Sequence, residues 1–158
     1  MSRTRVMLRT TRRISANAVH ALFARMQWHD WFTREDVRWY LDHALYVASA
    51  WDGRRCVGVA VLDGDGRINT RLDTIVVDEA YQGRGVGTAL VRKIMARVER
   101  LQPYYMQLDV YQRRTEHWYA QFGFVRNKGT WLLEHKPTAD RMRRAVRVAR
   151  EAAARDHP

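Results

Sequence analysis

What most narrows the folds open to this chain is an abrupt change of periodicity near residue 80. A β-branched run, Leu72-Asp73-Thr74-Ile75-Val76-Val77, leads into AYQGRGVGTAL (Ala80–Leu90), where Gly83, Gly85 and Gly87 occupy alternate positions before helix-forming residues resume. Gly85 to Leu101 then carries Val86, Leu90, Val91, Ile94, Val98 and Leu101 on one helical stripe, and Pro103 ends it. Each glycine raises the entropic cost of ordering the backbone by roughly 0.5–1 kcal/mol relative to alanine, so glycines in alternation mark a turn that side chains forbid or a close approach to something else. Strand, glycine turn and amphipathic helix together call for a sheet with a helix laid on it.

Signals on either side extend that sheet. Thr4–Thr10 reads as a first strand, and behind Ser15, an N-cap residue, Val19, Leu22, Phe23 and Met26 recur at helical spacing. Thr33 with Arg34-Glu35-Asp36 opens a second helix in capping-box style, with Val37, Tyr40 and Leu41 as its apolar face. Leu45–Trp51 and Cys56–Leu62, joined through Asp52-Gly53-Arg54-Arg55, read as a hairpin because Asp-Gly tolerates positive φ. Asp63-Gly64-Asp65-Gly66 turns the chain into a central strand, Ile68–Val77. After the long helix come a strand at Tyr104–Tyr111, a short helix at Thr115–Phe122 and a closing hairpin around Asn127-Lys128-Gly129. Pro137-Thr138 opens a basic helix with Met142, Ala145, Val146, Ala149 and Ala152 on one face. The order β-α-α-β-β-β-α-β-α-β-β plus a C-terminal helix predicts one mixed-sheet α/β domain over residues 1–136, with residues 137–158 appended to it.

Composition excludes several classes. With 158 residues, 46% of them hydrophobic, the chain can bury one core of ordinary size. The single cysteine, Cys56, lies in the apolar run CVGVAVL, which leaves neither a disulfide framework nor a cysteine metal site. None of the six histidines stands at ligand spacing from an acid or from Cys56, so no metal is expected. The N-terminal segment has basic residues but no uninterrupted apolar core, and no stretch approaches a membrane span; a mature soluble protein in a reducing cytoplasm, with no membrane partner, is expected. The charge of +11, from 28 Lys+Arg against 17 Asp+Glu, attracts polyanions such as nucleic acid or phosphorylated cofactors, or else simply solvates the surface.

Placed between strand and helix, the glycine run makes a site for phosphate. Orphan amides and the positive end of the helix dipole face the ligand, glycines let it come close, and Arg84 adds formal charge. A Walker loop is excluded because no lysine follows the glycines, and Gly83-Arg84-Gly85-Val86-Gly87 is one residue short of the dinucleotide fingerprint. Asp109 does stand about where a ribose-binding acid would, but the hairpin-rich strands upstream speak against a dinucleotide fold.

Gln82-Gly83-Arg84-Gly85-Val86-Gly87 resembles the Q/R-x-x-G-x-G/A loop of the GCN5-related N-acetyltransferases, and LDV followed by WYAQFGF resembles that family's second signature. The likeness runs from Leu72 to Phe124 and implies a mostly antiparallel sheet flanked by helices, with acetyl-CoA as co-substrate. It implies that main-chain groups of Ile75, Val76 and Val77 pair with the pantetheine arm and that Gln82 and Gly83 through Thr88 form the pyrophosphate loop, including Arg84, Gly85, Val86 and Gly87. Tyr119 matches the tyrosine that protonates the departing thiolate, although it can equally be an aromatic packed on the sheet. Asp109 matches a position that is acidic in some members and is the first choice of general base, with Asp73 or a water as the others; either acid can instead be an arginine's partner. One departure stands out: the asparagine that often precedes the tyrosine helix is missing, and the connector Tyr111-Gln112-Arg113-Arg114-Thr115 is short.

The same resemblance brings the acceptor between the first two helices and the last hairpin, where Trp28, His29, Asp30, Trp31, Phe32, Trp39 and Tyr40 would face Trp131. Aromatics there suit an aryl or alkyl amine or a peptide N-terminus, with Asp30 or Asp42 drawing in its ammonium, while a core role is open to the tryptophans, to Trp39 more readily than to Trp31. The expected activity is therefore acetyl transfer to a primary amine of a small molecule or a protein. The charge keeps an RNA-linked acceptor, an aminoacyl-tRNA or a ribosomal protein, in view; the alternative to an enzyme is a non-catalytic acyl-CoA-binding module, and the resemblance leaves a homodimer open.

Overall fold

A computed structural model describes residues 6–28, 31–110, 113–126, 132–137, 140, 143–144, 146–148 and 151. Strand β1 (Met7–Arg9) precedes helices α1 (Ala16–Arg25) and α2 (Arg34–His43). Strands β2 (Tyr46–Asp52), β3 (Arg55–Gly64) and β4 (Asn69–Val77) follow, then α3 (Val86–Leu101), β5 (Tyr105–Asp109), α4 (Glu116–Ala120), β6 (Phe124–Arg126) and β7 (Leu132–His135). This is the order read from the sequence. The expected starts are chemically sound: the Ser15 hydroxyl accepts from the Ala18 amide at 3.2 Å, and Thr33 and Asp36 close a full capping box. Gly85, expected as the first residue of the long helix, is instead its N-cap. The turn at residues 127–129 and the connector residues Tyr111 and Gln112 lie outside the described residues. Beyond β7 the described residues Lys136, Pro137, Asp140, Arg143, Arg144, Val146, Arg147, Val148 and Glu151 carry helical backbone; Val146, expected on the apolar face, is 45% exposed, and Met142, Ala145, Ala149 and Ala152 lie outside the described residues.

The seven strands make one sheet in the order β1-β2-β3-β4-β5-β7-β6. Every pairing is antiparallel except β4 with β5, which is parallel, so the sheet is mixed and mostly antiparallel. Both faces are covered, which is why Val57 through Leu62 of β3 read as one unbroken apolar run and are buried at every position. On one face Leu90, Ile94 and Val98 of α3 pack on Leu72, Met106 and Leu108. On the other, Val19, Leu22 and Phe23 of α1 and Val37 and Leu41 of α2 pack on Val59 and Val76.

The irregularity that matters lies in β4. Val61 faces Thr74 while Leu62 faces Leu72, so Asp73 is an extra residue, a β-bulge. The bulge lets two neighbouring side chains, Asp73 and Thr74, both reach the same tyrosine on α2. Bulges of this kind re-aim side chains beside functional clefts.

Candidate active site

Strands β4 and β5 pair only at Asn69, Thr70 and Arg71, opposite Tyr105, Met106 and Gln107. Beyond that point β5 runs with β7 to Asp109 while β4 stays with β3 to Val77, and the two strands splay apart. The Asp78 amide donates to the Val57 carbonyl at 2.9 Å, which sets the alternation along β4. Main-chain groups of Val76 therefore point to β3, and those of Ile75 and Val77 point into the gap. Val76 also turns its side chain, 4% exposed, into the core under α1 and α2. Of the three residues expected along the pantetheine arm, the structure gives Ile75 and Val77 an open edge and gives Val76 none.

Beside this edge lies a cleft of about 540 Å³ floored by Ile75 and Val77. The glycine loop and the first turn of α3 form one wall, and Thr115, Trp118 and Tyr119 form the other. Gly83 and Gly85 hold φ of 69° and 79°, and a Cβ at either would meet nothing within 4 Å. Glycine is needed at those two positions for the left-handed backbone, and the space above them stays clear. Gly87 differs: its absent Cβ would lie 3.5 Å from Trp118 and 3.7 Å from Val77, an ordinary contact. Gly87→Ala should therefore fold normally and gain roughly 0.5–1 kcal/mol of stability from helix propensity, read as a higher melting temperature; a loss would place Gly87 in a strained position.

The N-terminus of α3 is left open for an anion. Its cap, Gly85, makes no side-chain hydrogen bond, and its first turn carries no acid, so the amides of this 16-residue helix point outward with the dipole behind them. The connector is fastened from below. Burial alone would push the Asp78 carboxyl up, but hydrogen bonds from Arg55 and Arg25, both at 2.7 Å, and from the Ala80 amide outweigh it and hold the group below its ordinary value. The Gln82 side-chain amide donates to the Val77 carbonyl at 2.9 Å, so Gln82 braces the loop and leaves the Val77 N–H for other partners. Arg84 is exposed and stands over the Tyr81 ring at 5.5 Å. Val86 sends its side chain into the core and offers only its amide, while Thr88 lines the cleft.

Tyr119 sits on α4 against Trp118 and Phe124, with ring centroids 4.8 and 6.2 Å away. Burial pushes its hydroxyl up to about 12, so it keeps its proton at neutral pH. The two acids named as bases share one cation: Arg71 binds Asp109 at 3.1 Å and Asp73 at 2.6 Å. Asp73 also accepts the Tyr40 hydroxyl at 2.5 Å, and burial followed by this carboxylate pushes Tyr40 far above the ordinary tyrosine range. Arg71 thus spans the root of the splay, pinning the two carboxylates on either side of it.

The aromatics expected around the acceptor are brought together. Trp28, Trp31, Phe32 and Tyr40 line a pocket of about 630 Å³ on the α1/α2 face of β4. Trp28 and Trp31 stack at 5.7 Å, and Phe23 and Phe32 approach to 5.9 Å. Asp30, His29 and Trp131 lie outside the described residues. Neither exposed tryptophan is core: Trp31 is 67% and Trp39 62% exposed, the latter stacked on His43. Asp42 pairs with Arg38 away from the pocket, and the carboxylates lining it are those of Asp36 and Asp73. Sequence reasoning missed Trp118, Arg71 and Asp36 as site residues. Trp118 carried a signal, since it stands next to Tyr119 in the second signature; Asp36 was read only as a cap, and nothing local marked Arg71.

A model of the acetyltransferase (GNAT) family matches residues 14–124. Among solved structures the chain is similar to a GNAT-family acetyltransferase from Streptococcus pneumoniae TIGR4, at 23% identity and a TM-score of 0.66 over 77% of this chain and 88% of that one. It is similar to a probable acetyltransferase of unknown function from meticillin-resistant Staphylococcus aureus, at 24% identity and 0.67 over 78% and 93%. A Trypanosoma brucei acetyltransferase shares 18% identity and a TM-score of 0.67 over 80% and 96%. At these identities the likeness is one of fold. A search of curated protein sequences finds no significant match.

Proposed function

The chain belongs to the GNAT acetyltransferase family, and from that premise we propose that it moves an acetyl group from acetyl-CoA to a primary amine of a small molecule or a protein by direct attack in a ternary complex. The observation that carries the reading is the open edge of β4 lying beside a glycine-opened, uncapped helix N-terminus. A ligand with two amides and a pyrophosphate suits that pairing. Residues 1–136 would form the catalytic domain, working in the cytoplasm, as the lone buried thiol of Cys56 favours.

Acetyl-CoA supplies a thioester whose carbonyl carbon accepts the amine nitrogen. The main-chain groups of Ile75 and the Val77 N–H hold the pantetheine amides, and the amides of Gly83 through Thr88 hold the pyrophosphate. As the N–C bond forms and the C–S bond breaks, the Tyr119 hydroxyl gives its proton to the departing sulfur and is later reprotonated from water. The proton leaving the ammonium passes through a water to Asp109, whose carboxylate Arg71 holds in place at 3.1 Å. No chemistry is asked of the Cys56 thiol, which burial pushes up to about 11.

Incubation with acetyl-CoA and a panel of polyamines, aryl amines, N-terminal peptides and charged tRNA, following thiol release, tests the reading. Acetylation of at least one amine is expected. A protein that binds CoA yet turns over none of them is a binding module, and the enzymatic reading fails.

A further inference from the structure

Consecutive residues of β4 serve different compartments: Ile75 floors the cleft, and Thr74 lines the aromatic pocket on the other face. Past Arg71, where β4 and β5 part, no strand among the described residues pairs with the edge of β4 that carries the main-chain groups of Ile75 and Val77. A nitrogen beside Thr74 is thus one residue along β4 from Ile75, which floors the cleft. We propose that this pocket binds the acceptor, and that the acceptor is a primary amine carried on an aromatic body of one or two rings and entering as its ammonium ion. The inference rests on the acetyl-transfer reading above and names its substrate class.

Shape argues for a compact ring. The volume, about 630 Å³, falls within the range of roughly 300–1,000 Å³ usual for small-molecule sites. The stacked Trp28 and Trp31 form one side, and Phe32 backed by the buried Phe23 forms another. Flat faces set at these distances suit offset or edge-on stacking of a further ring. Trp31 and Trp39 are left exposed at the mouth, a clustering of large aromatics that marks a binding surface more often than idle surface.

Charge argues for a cation. In a chain of net charge +11, no lysine or arginine is among the described residues lining the pocket, whereas Asp36 and Asp73 both are. Asp73 shares its charge with Arg71, but the Asp36 carboxylate is held by the Thr33 hydroxyl and amide, neutral groups that leave its charge acting on the pocket. Those same hydrogen bonds, the hydroxyl's first, hold Asp36 below its ordinary value, so it is ionised throughout the neutral range. An ammonium is drawn in by the carboxylate and by the indole faces together. A phosphate-bearing or RNA-linked acceptor would bring anions against two carboxylates, and a polyamine has no ring to fill the walls.

Calorimetry and thiol release with 2-phenylethylamine and tryptamine, set against spermidine, phosphoethanolamine, N-terminal peptides and charged tRNA, test the assignment. The aryl amines should bind and turn over with kcat/KM about tenfold above spermidine, the span one stacked ring provides, and at least as far above phosphoethanolamine, whose phosphate the two carboxylates repel. Trp31→Ala should weaken aryl-amine binding by about tenfold, and Asp36→Asn, which keeps an oxygen to accept from Thr33 in the capping box, by a few-fold in a salt-sensitive way, both with CoA affinity unchanged. Preference for spermidine, peptide or tRNA, or aryl-amine binding indifferent to Trp31→Ala, overturns the inference and leaves acetyl transfer standing. Aryl amines that bind in a Trp31-dependent way without releasing thiol support the pocket and sink the acetyl-transfer reading instead.

Discussion

Gly85→Glu is expected to lower CoA affinity by about 100-fold or more, measured by calorimetry, in a protein that still folds. Gly85 caps α3 with φ of 79° and no side chain above it. A carboxylate attached there would bond to the very amides left open for the pyrophosphate and repel what remains of the ligand's charge. Hydrogen bonds to charged groups are worth about 1.5–3 kcal/mol each, so forfeiting two amounts to about 100-fold or more. The left-handed backbone adds a separate cost of roughly 1–2 kcal/mol, which falls on stability and lowers the melting temperature by several degrees. Gly85→Asn separates the two effects, because asparagine tolerates the left-handed region and carries no charge; it should retain CoA affinity within about fivefold. Equal losses in both variants would mean that strain, not charge, is responsible. Normal CoA binding by Gly85→Glu would remove the pyrophosphate from this loop altogether.

That loop was the most legible part of the chain, and the reason is local. Positive φ, an uncapped helix start and a β-branched run are each decided by residues within a few positions of one another, so Gly83, Gly85 and the strand before them could be read directly. Capping chemistry at Ser15 and Thr33 was readable for the same reason. Features made by distant pairings were not. The bulge at Asp73 exists only because Val61 and Leu62 of β3 set the register of β4, and it is what turns Asp73 toward Tyr40. The bridge through Arg71 requires β4 and β5 to be neighbours and then to part, a fact of topology that no short motif announces. Gly87 shows the limit in the other direction: it belongs to the same motif as Gly83 and Gly85, yet a Cβ there would make only ordinary contacts with Trp118 and Val77, so neither its backbone nor its surroundings require glycine. Exposure of Trp39 was legible by contrast, since the helical periodicity that buries Val37 and Leu41 puts it on the opposite side of α2.

Tyr119→Phe is expected to lower kcat by about 100-fold or more while CoA affinity stays within about twofold, since proton transfer by a positioned acid contributes about 10²–10⁴-fold. Phenylalanine keeps the ring contacts with Trp118 and Phe124, so a purely structural Tyr119 would leave kcat unchanged. The pH profile supplies a second reading. With the hydroxyl pushed up to about 12 by burial, Tyr119 stays protonated as pH rises through 10, and its ionisation should impose no alkaline fall in kcat below about pH 11. Stability carries the matching sign: the folded value lies above the unfolded one near 10, so the unfolded chain gives up its proton first. The stabilisation from Tyr119 is therefore complete below pH 10 and declines between 10 and 12, and Tyr119→Phe should show a shallower loss of stability across that interval. A tyrosine that titrates near 10 in the folded protein, followed by its absorbance, would contradict both the burial of its hydroxyl and its fitness to hold a proton for the thiolate.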